Sequence, residues 1–220
     1  MTSAKEQRII INQSGLDMLN LCISQLDKAK EAFLNHDSDL AEEVIYTETR
    51  VNALDLKIEK DCEKFIALYN PVAVDLRFVI SILKINSELE RIADHAYNIC
   101  KYIVDHDMPV SKHLIETLEF EKMYETIDSM FQNILEAYNE KDVKIARKVF
   151  KKDKILDKIN STSFQLLEQE IQKDSTIIRR AFIAFSVVKK LERIGDLIKN
   201  IAEDIIFFID AEVVKHQKKK

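Results

Sequence analysis

Apolar side chains recur every three to four residues along almost the whole chain, the spacing that gathers them on one face of an α-helix. Leu16, Leu19, Ile23, Leu26 and Phe33 form one such stripe. Leu89, Ile92, Ala93, Ala96, Ile99 and Ile103 form another, and Leu191, Ile194, Ile198, Ile201 and Ile205 a third. Polar, cap-forming residues interrupt the pattern at Asn35-His36-Asp37-Ser38, Asn139-Glu140-Lys141-Asp142 and Asp174-Ser175. Asn70-Pro71 reads as a stop and restart, because Asn is a good N-cap and Pro suits the first helical position. Asp105-His106-Asp107-Met108-Pro109 closes the third stretch, since Pro109 lacks the N–H that a helix interior needs. These signals predict six helices, at 4–35, 38–69, 71–105, 111–139, 142–173 and 175–213. The helices are long and the connections short, so neighbours run antiparallel in an up-and-down bundle.

Composition removes the alternatives. The 220 residues include two glycines and two prolines, against usual shares of roughly 7% and 5%. That starves β-hairpin turns, and neither GxxxxGK[ST] nor GxGxxG occurs, so no glycine-rich phosphate loop exists. The expected class is all-α, with more than about three-quarters of the residues helical. The 33 basic and 38 acidic residues are interleaved, for a formal charge of −5. The one basic cluster is the tail Lys218, Lys219 and Lys220, so a nucleic-acid partner is not expected. Cys22, Cys62 and Cys100 form no CxxC pair and read as reduced, apolar-like thiols. No apolar run approaches the roughly 18 residues of a membrane span, and the opening MTSAKEQRIII is too short in its apolar part for a signal peptide. A soluble, cytoplasmic protein is expected.

The two halves of the chain repeat. At an offset of 105, Glu31-Ala32-Phe33 aligns with Glu136-Ala137-Tyr138, Asp37 with Asp142, Val44 with Val149, Glu48 with Asp153 and Asn52 with Asp157. Beyond Asn70-Pro71 the offset becomes 102, and Leu89-Glu90-Arg91-Ile92-Ala93-Asp94 meets Leu191-Glu192-Arg193-Ile194-Gly195-Asp196. Seven of the eleven residues from Leu89 to Ile99 are identical to their partners. The unit is three helices, duplicated, with the first repeat at 1–107 and the second at 108–220.

The recurring acids carry the candidate chemistry. Glu90 and Asp94, like Glu192 and Asp196, lie four apart and project from one helix face, roughly 100–140° from the apolar stripe. Like charges at this spacing destabilise a helix by about 0.2–0.5 kcal/mol, so their repetition calls for a reason. Counting residues from the hairpin turns brings a second set level with the first, because both arms rise equally per residue. Each unit then assembles four oxygen-bearing side chains: Glu48, Asn52, Glu90 and Asp94 in one, and Asp153, Asp157, Glu192 and Asp196 in the other. All-oxygen sets suit hard or borderline cations. A solvated acidic flank gives the same pattern, and height alone does not prove that the arms face each other. Four carboxylates against three rank the second cluster as the stronger cation site.

The twin Leu-Glu-Arg-Ile-x-Asp segments at 89–94 and 191–196 resemble the signatures of the PhoU family, the phosphate-uptake regulators of bacteria. Pro71-Val72-Ala73-Val74-Asp75-Leu76-Arg77 is similar to that family's first-repeat motif. The resemblance implies two pseudo-symmetric three-helix bundles. It further implies that the eight side chains above bind a multinuclear metal cluster of iron, zinc, manganese or magnesium. As function it implies a cytoplasmic regulator that restrains phosphate-starvation signalling. Its partners would be the ATPase subunit of the phosphate ABC transporter and a phosphate-sensing histidine kinase, with membrane contact only through them; a homodimer fits the same picture. This chain departs from the pattern in three places: Glu48 stands where Asp is frequent, Asn52 is not an acid, and Ala93 replaces the glycine kept at 195.

No nucleophile shows a base and an orienter, so catalytic residues are not expected. The alternative is a metal-carboxylate bundle enzyme, which needs open coordination positions beside a shaped pocket. His36, His95, His106, His113 and His216 lack the paired Exx-His spacing of a di-iron bundle and read as solvated or loop residues. Phe182, Phe185, Phe207 and Phe208 read as packing residues. Arg77 and Arg179 occupy equivalent places before the acidic motifs, with their role open.

Overall fold

The structure, a computed structural model, describes residues 3–106 and 108–214. Asp107, His216 and the Lys218–Lys220 tail lie outside the described residues. Helix accounts for 90% of the described residues, with no strand among them. Helices α1 (Ala4–Asn35), α2 (Ser38–Tyr69) and α3 (Ala73–Asp105) form the first half. The second half contains α4 (Lys112–Thr117), α5 (Phe120–Glu140), α6 (Val143–Ala146), α7 (Val149–Lys173) and α8 (Ile178–Asp210). No described helix is long and apolar enough to cross a membrane.

Local chemistry sets the ends. Ser3 and Glu6 close a reciprocal capping box on α1, with the Ser3 amide donating to Glu6 Oε2 at 2.7 Å. Asp37 caps α2 by accepting from the Leu40 amide at 3.0 Å. His36, at φ 54°, turns the chain between them.

Three expected boundaries need correction. Asn70 does not cap α3; it sits at φ 47° and closes α2, its amide donating to the Ile66 carbonyl. Asn tolerates the left-handed region better than most residues, and using it there leaves Pro71 and Val72 outside, so α3 starts at Ala73. The expected helix over 111–139 breaks at Glu119, where φ is 52°. Positions 118 and 120 would face opposite ways on a continuous helix. The break lets Leu118 and Phe120 both bury, the latter against Phe33 with ring centroids 4.9 Å apart. The expected helix over 142–173 tightens at Lys148, whose amide donates to the Ile145 carbonyl and whose carbonyl accepts from the Lys151 amide, both three residues apart, giving α6 and α7. A short 3₁₀ turn at Ser175–Ile177 likewise precedes α8.

Within each half consecutive long helices run antiparallel, so that α1 lies parallel to α3, and the halves meet mainly through α3 and α8, which run antiparallel. Phe78 meets Phe208 at 5.8 Å, Lys84 reaches Asp204 at 3.4 Å and Asn200 donates to Glu88 at 3.3 Å. The core runs continuously through this seam: Leu89, Ile92, Ile99, Leu191, Ile194, Ile198 and Ile201 are all fully buried. Cys22, Cys62 and Cys100 are free and buried in it. Of the phenylalanines expected to pack, Phe185 and Phe208 lie against the core, but Phe182 is 64% exposed. It sits in the first turns of α8, beyond the reach of the α3 seam.

Candidate functional site

The two hairpins α2–α3 and α7–α8 carry the recurring acids. Leu89, Ile92 and Ala93 of the first motif point inward and are buried, which turns Glu90 and Asp94 toward α2. There Glu48 comes close to Asp94 and Asn52. Burial, then the neighbouring Asp94 and Glu90 charges, push the Glu48 carboxyl up to about 7, against a smaller opposing effect of the Asn52 amide. Glu90 is raised by burial, by Asp94 and by Asp55, with Glu59 adding to the effect and Arg91 opposing it. Crowded carboxylates without a cation among them respond in this way, by holding a proton instead.

In the second hairpin, Asp153 of α7 is 5% exposed and faces Asp157 and Asp196. Burial raises its pKa, and the Lys199 ammonium works against that rise. Lys199 Nζ donates to Asp153 Oδ2 at 2.7 Å and to Asp196 Oδ1 at 2.5 Å. Glu192 is raised by burial, Asp196 and Asp157.

Both expected sets of four therefore come together, each across a pair of facing helices. As the side chains stand, no group of three His, Cys, Asp or Glu among the described residues is arranged to grip a metal ion. Asn52, Asp94 and Asp157 are exposed, and an exposed side chain changes rotamer readily. Among the described residues no ammonium or guanidinium bridges the acids of the first set; Arg91, which opposes the Glu90 shift, pairs with Glu88 instead. The second already holds a positive group.

Three residues of the first site escaped the pattern reading. Asp55 and Glu59 extend the acidic face of α2, and buried Asn86 donates to Asp55 Oδ1 at 2.6 Å. Their spacing from Glu48, seven and eleven residues, was a readable signal. The histidines are scattered. His36 and His106 end helices, and His113 meets Glu170 at 2.8 Å. Among the described histidines His95 departs from the solvated expectation: it is half-buried on α3, and burial with Lys190 nearby pushes its pKa down to about 4.

Comparison with known proteins decides the family. The PhoU domain profile matches twice, over residues 16–103 and 120–205. The chain belongs to the PhoU family. It is 33% identical over 206 residues to the phosphate-specific transport system accessory protein PhoU of Serratia marcescens, covering 94% of this chain and 84% of that protein. The homologue from Aquifex aeolicus is 33% identical over 204 residues, covering 92% and 90% respectively. Among solved structures, PhoU from Pseudomonas aeruginosa superposes with a TM-score of 0.89 at 27% identity, over 96% of this chain and all of that one.

Within this PhoU-family chain, the Ala93 departure has a packing explanation. A Cβ at Gly195 would lie 2.3 Å from Leu156 Cδ1, so glycine is what lets α7 and α8 approach. The positions equivalent to Leu156 and Gly195 are Val51 and Ala93, a smaller residue opposite a larger one. Gly195→Ala is expected to cost about 1 kcal/mol net, an overpacking penalty of about 1–3 offset by about 1 of helix propensity. In a Leu156→Val background the same change becomes neutral or stabilising. Urea midpoints of the four proteins check this, and an equal cost in both backgrounds contradicts it.

Proposed function

We propose that this chain is a regulatory accessory protein of a phosphate-specific transport system. In this reading it restrains uptake and starvation signalling by binding the transporter's ATPase subunit and a phosphate-sensing histidine kinase. The observation that carries the proposal is the near-full-length relation to proteins named for that accessory role, with the family profile matching in both halves. The chain works in the cytoplasm and performs no catalysis of its own. Its repeats at 1–107 and 108–220 act as two related units, and a homodimer is compatible with them.

The acidic hairpins are metal sites in the same reading. Glu48, Asn52, Glu90 and Asp94 supply oxygen ligands to a hard or borderline cation, and Asp153, Asp157, Glu192 and Asp196 are their second-repeat counterparts. A bound cation would cancel the carboxylate repulsion that, after burial, raises Glu48 and Glu90. It would also cross-link α2 to α3 and stiffen the surface offered to a partner. The site residues bind and orient; none is placed to act on a substrate.

Affinity purification tests the partner reading. Tagged protein recovered from phosphate-replete cells is expected to retain the transporter ATPase and the kinase, identified by mass spectrometry. Recovery of neither, with the tagged protein folded, contradicts it.

A further inference from the structure

The two acidic hairpins differ in one internal charge. Lys199 lies three residues beyond Asp196 on α8, and its ammonium bridges Asp196 to Asp153 on α7. That is the position from which a cation would link the two helices. The residue equivalent to Lys199 in the first repeat is Tyr97, which carries no charge. The cation beside the first cluster, Arg91, opposes the Glu90 shift but pairs with Glu88 and bridges none of the four site residues. The acids beside the clusters differ as well: Asp55 and Glu59 flank the first, while the equivalent positions in the second are Asn160 and Phe164.

We infer that Lys199 is a built-in counter-ion that takes the place of metal in the second repeat, so that divalent cations bind the first repeat alone. This rests on the metal reading proposed above for the first repeat and departs from it for the second. Asp153 is almost fully buried, and its Oδ2 is already bonded to the ammonium. A divalent ion entering there must displace Lys199 or sit beside its charge. Because the lysine is tethered one turn from Asp196, it competes intramolecularly, without the entropic loss a free ion pays. The count of carboxylates favours the second cluster, four to three. Lys199 removes that advantage and occupies the bridging position as well.

The test is Mn²⁺ binding to the full chain, read from the electron paramagnetic resonance signal of free Mn²⁺, with melting temperature as a second readout. Wild type is expected to bind Mn²⁺ through the first cluster. Asp94→Asn should weaken that binding by about tenfold or more, whereas Asp196→Asn should not change it. Lys199→Gln should melt lower without metal, bind additional Mn²⁺ and recover its melting temperature on binding. Adding Asp196→Asn to it should abolish the gain. The reciprocal variant Tyr97→Lys, which puts an ammonium into the first cluster, should suppress wild-type binding while Tyr97→Gln leaves it intact.

No additional Mn²⁺ in Lys199→Gln, or undiminished binding in Tyr97→Lys, overturns the inference. If Lys199→Gln misfolds, the Tyr97 pair decides. Binding by Lys199→Gln but not by wild type would uphold the role of Lys199 and discard the first cluster as a metal site. Binding by wild type without a gain in Lys199→Gln would do the reverse, and no binding by any form would discard both.

Discussion

Leu89→Ala is expected to lower the unfolding free energy by about 3–5 kcal/mol, the upper part of the range for a buried leucine. Leu89 is fully buried at the seam where α3 meets α1 and α8, and the Cys22 thiol donates to its backbone carbonyl at 3.2 Å. It also borders a small apolar cavity of about 20 Å³, shared with Leu19, Ile82, Ile134 and Ile201. Truncation enlarges a void that is already present, and its walls come from four helices that cannot all move inward at once. The loss is read from the urea midpoint at unchanged slope. As a control, Ile9→Ala removes a side chain that is 59% exposed and should stay within about 0.5 kcal/mol. A Leu89→Ala loss below about 1 kcal/mol would mean that the seam repacks freely, contrary to the account of a single continuous core.

This places the parts of the repeated motif in different roles. The Leu and Ile of Leu-Glu-Arg-Ile-x-Asp build the α3–α8 seam, and the Glu and Asp, turned outward by the same helical period, build the acidic hairpins. Periodicity and caps therefore made the long helices legible, as with Asp37, whose side chain caps α2 within the polar run read as cap-forming. The breaks at Glu119 and Lys148 were not legible. Neither carries glycine or proline, and the break at Glu119 lets Leu118 and Phe120 bury together, a tertiary demand. The Asn70-Pro71 turn was legible as a boundary but not in detail, since Asn suits both a helix start and a left-handed stop.

The grouping of the acids followed from repeat offset and equal helical rise, and the structure brings each set to one hairpin. Their electrostatics did not follow from counting carboxylates. Lys199 was visible in the sequence three residues after Asp196, yet only packing shows that its ammonium reaches Asp153 across the helix pair. Likewise, the exchange of Gly195 and Leu156 for Ala93 and Val51 reads as divergence until the 2.3 Å approach explains it as matched volumes.

The central claim is that this chain restrains the cell's response to phosphate starvation, and its loss should have the largest effect of any change considered. A regulator acting through partners leaves no chemistry behind when removed; it leaves the transporter and the signalling kinase without their restraint. The direct measurement is expression of phosphate-scavenging functions in a clean deletion strain grown with ample phosphate, with and without the gene restored. The account predicts expression as high in rich phosphate as in starvation, returning to repression on complementation. Normal repression in the deletion strain would contradict it.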